Sequence, residues 1–149
     1  IQFKGKRAID WNAVEEYGKR YKGITIKCCD DEILVDGRFA DEYCWSVDTK
    51  RLKGTLAKAK ANAIQAIIEI AENATNRRIQ ENLDDKHKND AKNGWIRYTC
   101  RFAIPVFDEN GEIERYNFFR MEMIVRCASD GKKYLYDFVN IKKETSKPL

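Results

Sequence analysis

Two strand-like segments carry arginines at alternate positions: Arg97 and Arg101 in the first, Arg120 and Arg126 around Glu122 in the second. Alternation places such residues on one face of a sheet. The planar guanidinium fork suits phosphate oxygens better than a solubilising role requires. Trp95, Tyr98 and Phe118 are interleaved with them and offer rings on which unpaired bases stack. Lys142, Lys143, Thr145 and Ser146 add point charges and rotatable hydroxyls for a phosphate at the sheet edge. The single histidine, His87, stands between Lys86 and Lys88, with Lys92 close behind. Its unperturbed pKa lies near neutrality, and the flanking positive charge favours its neutral form. The chemistry in view is the holding of a phosphodiester and the movement of a proton. A solvated, charged sheet face with an incidental histidine is the plainer alternative.

Other schemes lack their parts. No phosphate-binding loop, dinucleotide fingerprint or nucleophile elbow occurs. The five cysteines include no C-x-x-C pair, and one histidine cannot complete a closely spaced zinc site. Cys100 and Cys127 fall on the apolar side of their strands, which argues against a thiol nucleophile. Glu122 stands nearly alone on the strands, so the carboxylate cluster of two-metal nuclease chemistry is missing. Neither a metal nor a cofactor is expected. Free thiols fit a reducing, cytoplasmic setting.

These groups need a framework, and 149 residues with 43% apolar and 35% charged side chains suffice for one globular domain. No run reaches the roughly 18 apolar residues of a membrane span. The net charge of +4 is too small to identify a polyanion binder by itself. The start at Ile1 rather than Met fits a fragment, a processed segment or the end of a larger polypeptide. Asp10 caps a short helix marked by Trp11, Val14 and Tyr17. A hairpin follows, with Gly23–Cys28 and Glu32–Val35 on either side of Asp30-Asp31, then an aromatic connection through Phe39, Tyr43 and Trp45. The pattern predicts one long amphipathic helix over residues 55–74. Residues 75–93 read as a polar surface connection. Strands are expected at Trp95–Phe107, Ile113–Cys127 and Lys132–Lys143, joined by Asp108–Gly111 and Ser129–Gly131. The expected fold is α+β: an N-terminal helix and hairpin (1–50), then a long helix packed on an antiparallel three-stranded meander (51–149).

The stretches Asp90–Phe107, Asp108–Asn117, Tyr134–Asp137 and Ile141–Ser146 carry a resemblance. So does the Ala57–Ala63 segment. Together they resemble toxin domains at the C-termini of phage head-morphogenesis and polymorphic-toxin proteins of Firmicutes. Those domains are assigned to the barnase/EndoU/colicin D/RelE-like (BECR) nuclease fold. The resemblance implies a metal-independent ribonuclease that cleaves RNA to a 2′,3′-cyclic phosphate, and a cognate immunity protein as partner. It implies His87 as acid or base, with Glu122 or Lys143 as counterpart, and Arg101 and Thr145 in the catalytic set. RNA would be held by Lys86, Lys88, Lys92, Arg97, Tyr98, Arg120, Arg126, Lys142 and Ser146. Cys127 follows Arg126 where the family pattern expects a histidine. The alternatives are a non-catalytic nucleic-acid or protein-interaction module and an ADP-ribosyltransferase toxin.

Overall fold

A computed structural model describes residues 8–80 and 94–148, the last four of these as backbone only. Helix α1 (Trp11–Gly18) begins where the Asp10 carboxylate accepts the amide of Ala13 at 3.2 Å. That bond satisfies one of the open donors of the first turn. A hairpin follows, β1 (Thr25–Cys28) and β2 (Asp31–Leu34). It turns on Cys29 and Asp30, both left-handed with φ of 49° and 66°, the two-residue turn whose twist matches its strands. The turn expected at Asp30-Asp31 therefore sits one residue earlier. A one-residue shift exchanges the faces of a strand, and here it sends Asp31 inward, 7% exposed.

The aromatic stretch expected to be a connection is helix α2 (Phe39–Trp45). Phe39 and Tyr43, four residues apart, both meet Phe138 edge-on at 6.1 Å. Helix α3 (Val47–Arg51) is capped by the Ser46 hydroxyl, which accepts the Thr49 amide. The long helix expected over 55–74 is broken into α4 (Gly54–Ala63), a 3-10 turn (Ile64–Ala66) and α5 (Ile67–Glu72). Tyrosine hydroxyls cause local competition at the break. Tyr43 donates to the carbonyl of Lys60, and Tyr21 donates to that of Ile64 at 2.6 Å. Carbonyls taken from outside the helix no longer favour a regular ladder.

The polar stretch after α5 is in part a strand, β3 (Thr75–Gln80). Its hydrogen-bonding partner is β4 (Trp95–Phe107), with Arg78 opposite Arg97. Strand β5 (Ile113–Cys127) occupies the span read from the sequence. Strand β6 runs Lys133–Pro148, past the expected end at Lys143, because the terminal segment stays paired with β5. The fold is α+β, with the meander β4–β5–β6 at the centre of a six-stranded sheet ordered β1-β2-β6-β5-β4-β3. All pairings are antiparallel except β2 with β6. Ile96, Cys100, Phe119, Met121, Met123 and Val125 line the core face. Among the described residues no helix is long and apolar enough to cross a membrane.

One carboxylate shapes this sheet. Asp31 on β2 accepts Arg77 Nε of β3 at 2.6 Å, Arg77 Nη2 at 3.3 Å and the Tyr98 hydroxyl of β4. Strands β2 and β3 are four places apart in the sheet order. At about 4.8 Å per strand a flat sheet would separate them by about 19 Å, beyond the reach of these side chains. The sheet therefore curls toward its core face until the two strands meet through this cluster. Burial raises the Asp31 carboxyl, but the Arg77 and Tyr98 bonds outweigh it and hold the group below its usual value.

A second buried charge lies beside α3 and α4. The Lys60 ammonium is fully buried, 3.2 Å from Asp137 Oδ1, 2.6 Å from the Thr49 hydroxyl and 3.7 Å from Asp48 Oδ2. Burial pushes the Asp137 carboxyl up to about 6, against the pull of Lys60 and the Phe138 amide.

Replacing Asp31 with Ala is expected to cost about 3 kcal/mol in urea unfolding, since Arg77 and the buried Tyr98 hydroxyl lose their acceptor. Asp137 generates a pH signature. Its folded pKa exceeds the unfolded one, so its contribution is complete below about pH 4 and is lost as pH rises through about 6. The wild-type unfolding midpoint should accordingly fall relative to that of Asp137→Asn between pH 4 and 6.5.

Candidate functional site

The alternation that buries Phe119, Met121 and Met123 turns Arg120 and Glu122 to the opposite face. Register then builds two rows across the strands. Thr99 lies opposite Glu122, and Arg101 lies opposite Arg120, which in turn lies opposite Lys142.

Glu122 is the hub of the first row. Arg78 Nη2 donates to its Oε1 at 2.9 Å, while Arg97 Nη1 and Asn140 Nδ2 donate to Oε2 at 3.0 Å and 2.6 Å. Thr99 accepts from Asn76 and Arg78, and Gln80 accepts Arg97 Nε, so both guanidiniums are fixed on two sides. Partial burial raises the Glu122 carboxyl. The Asn140 amide, Arg97 and Arg78 outweigh that effect and leave it below its usual value. The result is a carboxylate that stays ionised at neutral pH, oriented by two cations, with part of its surface in solvent.

Bulges in β6 make this arrangement. Thirteen residues of β5 (115–127) are matched by sixteen of β6 (133–148). One extra residue falls where Arg120 pairs with Lys142 and Glu122 with Val139. Asn140 sits there with φ of 56°, a left-handed position that asparagine tolerates well. The bulge re-aims its amide at Glu122, as bulges beside functional groups often do. A second register shift brings Tyr136 over β5 to Trp95, ring centroids 5.0 Å apart and tilted by 70°. Ile124 is buried although its position falls on the otherwise polar face.

The second row is exposed. Arg101 meets Glu144 at 3.1 Å, while Arg120 and Lys142 make no ion pair among the described residues. Tyr116 and Phe118 lie beyond this row on the same face, centroids 6.4 Å apart.

Several expected site residues are elsewhere. Tyr98, expected to stack on a base, is fully buried and bonded to Asp31, because its even position puts it on the core face. Arg126 keeps to the arginine face but is 7% exposed, paired with Asp36 and stacked 4.3 Å from the Tyr134 ring. Lys143 lies opposite the core residue Phe119, on the face away from Glu122. Thr145 and Ser146 belong to the backbone-only end of β6, with Ser146 opposite Asn117. Lys86, His87, Lys88 and Lys92 lie outside the described residues. Burial pushes the Cys100 thiol up to about 12, which suits a packing residue.

Arg78, Asn140, Tyr136 and Tyr116 are site residues that the sequence reading did not select. The doublet Arg77-Arg78 was visible, but only strand alternation sends one to Asp31 and the other to Glu122. No family model, curated protein or solved structure matches the chain.

Replacing Glu122 with Gln should lower stability by about 1 kcal/mol at pH 7, a value discounted for partial exposure. Its folded pKa lies below the unfolded one, so the contribution exists above about pH 4.5 and disappears as pH falls. Wild type and variant should unfold at converging urea midpoints as the pH is lowered toward 3.

Proposed function

We propose that the chain is a metal-independent ribonuclease toxin domain that cleaves RNA by 2′-OH transesterification. The observation that carries this reading is Glu122, an ionised carboxylate held by Arg78, Arg97 and Asn140 on the sheet face away from the core. Glu122 takes the proton of a ribose 2′-OH as that oxygen attacks the adjacent phosphorus. The P–O5′ bond breaks, leaving a 2′,3′-cyclic phosphate. The departing 5′-oxygen needs a proton, and His87 is assigned that part by its chemistry alone. Arg78 and Arg97 stand where negative charge grows on the phosphorane, the position in which fixed cations accelerate a reaction most. The low pKa of Glu122 keeps the base form populated at neutral pH, at the cost of some basicity. Such a domain would act in a bacterial cytoplasm, and an immunity protein would neutralise it by covering this face.

The three donors on Glu122 also suit a binding face without chemistry, and one assay separates the two. Purified protein is incubated with total RNA in EDTA and the new 3′ ends are mapped. Cyclic-phosphate ends are expected, and Glu122→Gln should slow their appearance about 10²- to 10⁴-fold. RNA that is bound but uncut selects the binding face. Metal-dependent ends bearing a 3′-OH, or an undiminished rate in Glu122→Gln, reject the mechanism.

A further inference from the structure

We infer that Asp48 of α3 is a positioning residue for Glu122: it holds the main chain of the β6 bulge so that the Asn140 amide reaches the carboxylate. Its bearing on cleavage rests on the reading above, whereas its hold on the bulge does not. The first support is the bulge itself. Asn140 and Ile141 together stand against the single residue Met121 of β5. The other edge of β6 is open at this height, since β2 pairs with it only at Lys133 and Tyr134. An extra strand residue needs partners from outside the ladder. The Asn140 N–H donates to Asp48 Oδ1 at 3.4 Å, while its side chain donates to Glu122 at 2.6 Å. One residue is thus held from two sides, by one acid at its backbone and another at its amide.

The second support is what holds Asp48. Its other oxygen, Oδ2, is buried and accepts no hydrogen bond among the described residues. It lies 3.7 Å from the Lys60 ammonium, an ionic attraction too long for a hydrogen bond. Lys60 already has Asp137 at 3.2 Å and the Thr49 hydroxyl at 2.6 Å, so Asp48 is not needed to satisfy it. Drawing Oδ2 inward leaves Oδ1 turned to β6. Helix α3 is itself pinned, since Ser46 caps it and Thr49 donates to the Tyr43 carbonyl at 2.6 Å. The chain Lys60–Asp48–Asn140–Glu122 therefore runs from a fully buried charge to the polar face of the sheet. A role confined to α3, as the acid of its first turn, would leave Glu122 untouched. Both oxygens of Asp48 are in use. Asparagine, with one acceptor, cannot serve Lys60 and the bulge together.

The test follows the Glu122 carboxyl by carbon-13 NMR over a pH titration, with the resonance assigned through Glu122→Gln and no RNA present. Arg78 and Arg97, the two cations on Glu122, are left in place throughout. In Asp48→Asn the Glu122 titration should move up toward the ordinary glutamate range, because the Asn140 donor is lost. The missing Asp48 charge acting through space has the opposite sign: a nearby anion raises a carboxyl pKa, and its removal lowers it. Asn140→Gly keeps the left-handed bulge, deletes the amide and should produce the same rise. In the Asn140→Gly background, Asp48→Asn should add no further rise, as expected of residues that act in series. Circular dichroism melts check the fold. Asp48→Ala, which leaves no amide facing the ammonium, takes the place of Asp48→Asn should that variant unfold. A folded Asp48 variant whose Glu122 titration stays or falls overturns the assignment, and so does a full rise in the Asn140→Gly background. Cleavage is read separately, and Asp48→Asn should lower its kcat about tenfold with KM unchanged. The expected titrations without cyclic-phosphate ends leave Asp48 its role and remove the cleavage mechanism. Cleavage alongside unaltered titrations does the reverse.

Discussion

The Asp31 carboxylate sets the curvature on which everything else is arranged. It draws β3 to β2 through Arg77 and takes the Tyr98 hydroxyl of β4 between them. The three contacts satisfy a group that burial alone would make costly. They also close the sheet toward its core face and make the arginine face the outside of the curve. Arg78 then follows from Arg77 by alternation: the residue that completes the closure fixes the orientation of its neighbour toward Glu122.

Charge is handled in two ways on the two faces. Inside, the two buried acids each hold a cation: Asp31 holds Arg77 and Asp137 holds Lys60. Outside, in the row Arg101–Arg120–Lys142, only Arg101 has an acid among the described residues, Glu144. A sheet stabilised only for its own sake would intersperse acids along such a row. The imbalance is local, and the modest +4 of the whole chain conceals it.

The sequence made the central strands legible, because period-two alternation is strong in Trp95–Phe107 and Ile113–Cys127 and their turns carry Asp and Gly. It also placed Arg97, Arg101, Arg120 and Glu122 on one face. It did not reveal β3, whose single apolar residue, Ile79, makes no apolar face and which becomes a strand only by pairing with β4. Nor did it reveal the break after Ala63, since the hydroxyls responsible come from Tyr21 and Tyr43, 43 and 17 residues away in sequence. Tyr98 shows the limit of residue-type reasoning: the same alternation that exposes Arg97 buries Tyr98 beside it. Asn140 could be read only from register, because an extra residue in a strand leaves no mark in composition.

That extra residue ties the site to a defect in the ladder. Excising Asn140 would remove one of the three extra residues of β6 and, with it, a left-handed residue from the strand. The sheet would be more regular, and Glu122 would lose its shortest hydrogen bond. Loss of a single codon here would thus trade the orientation of Glu122 for a more regular ladder.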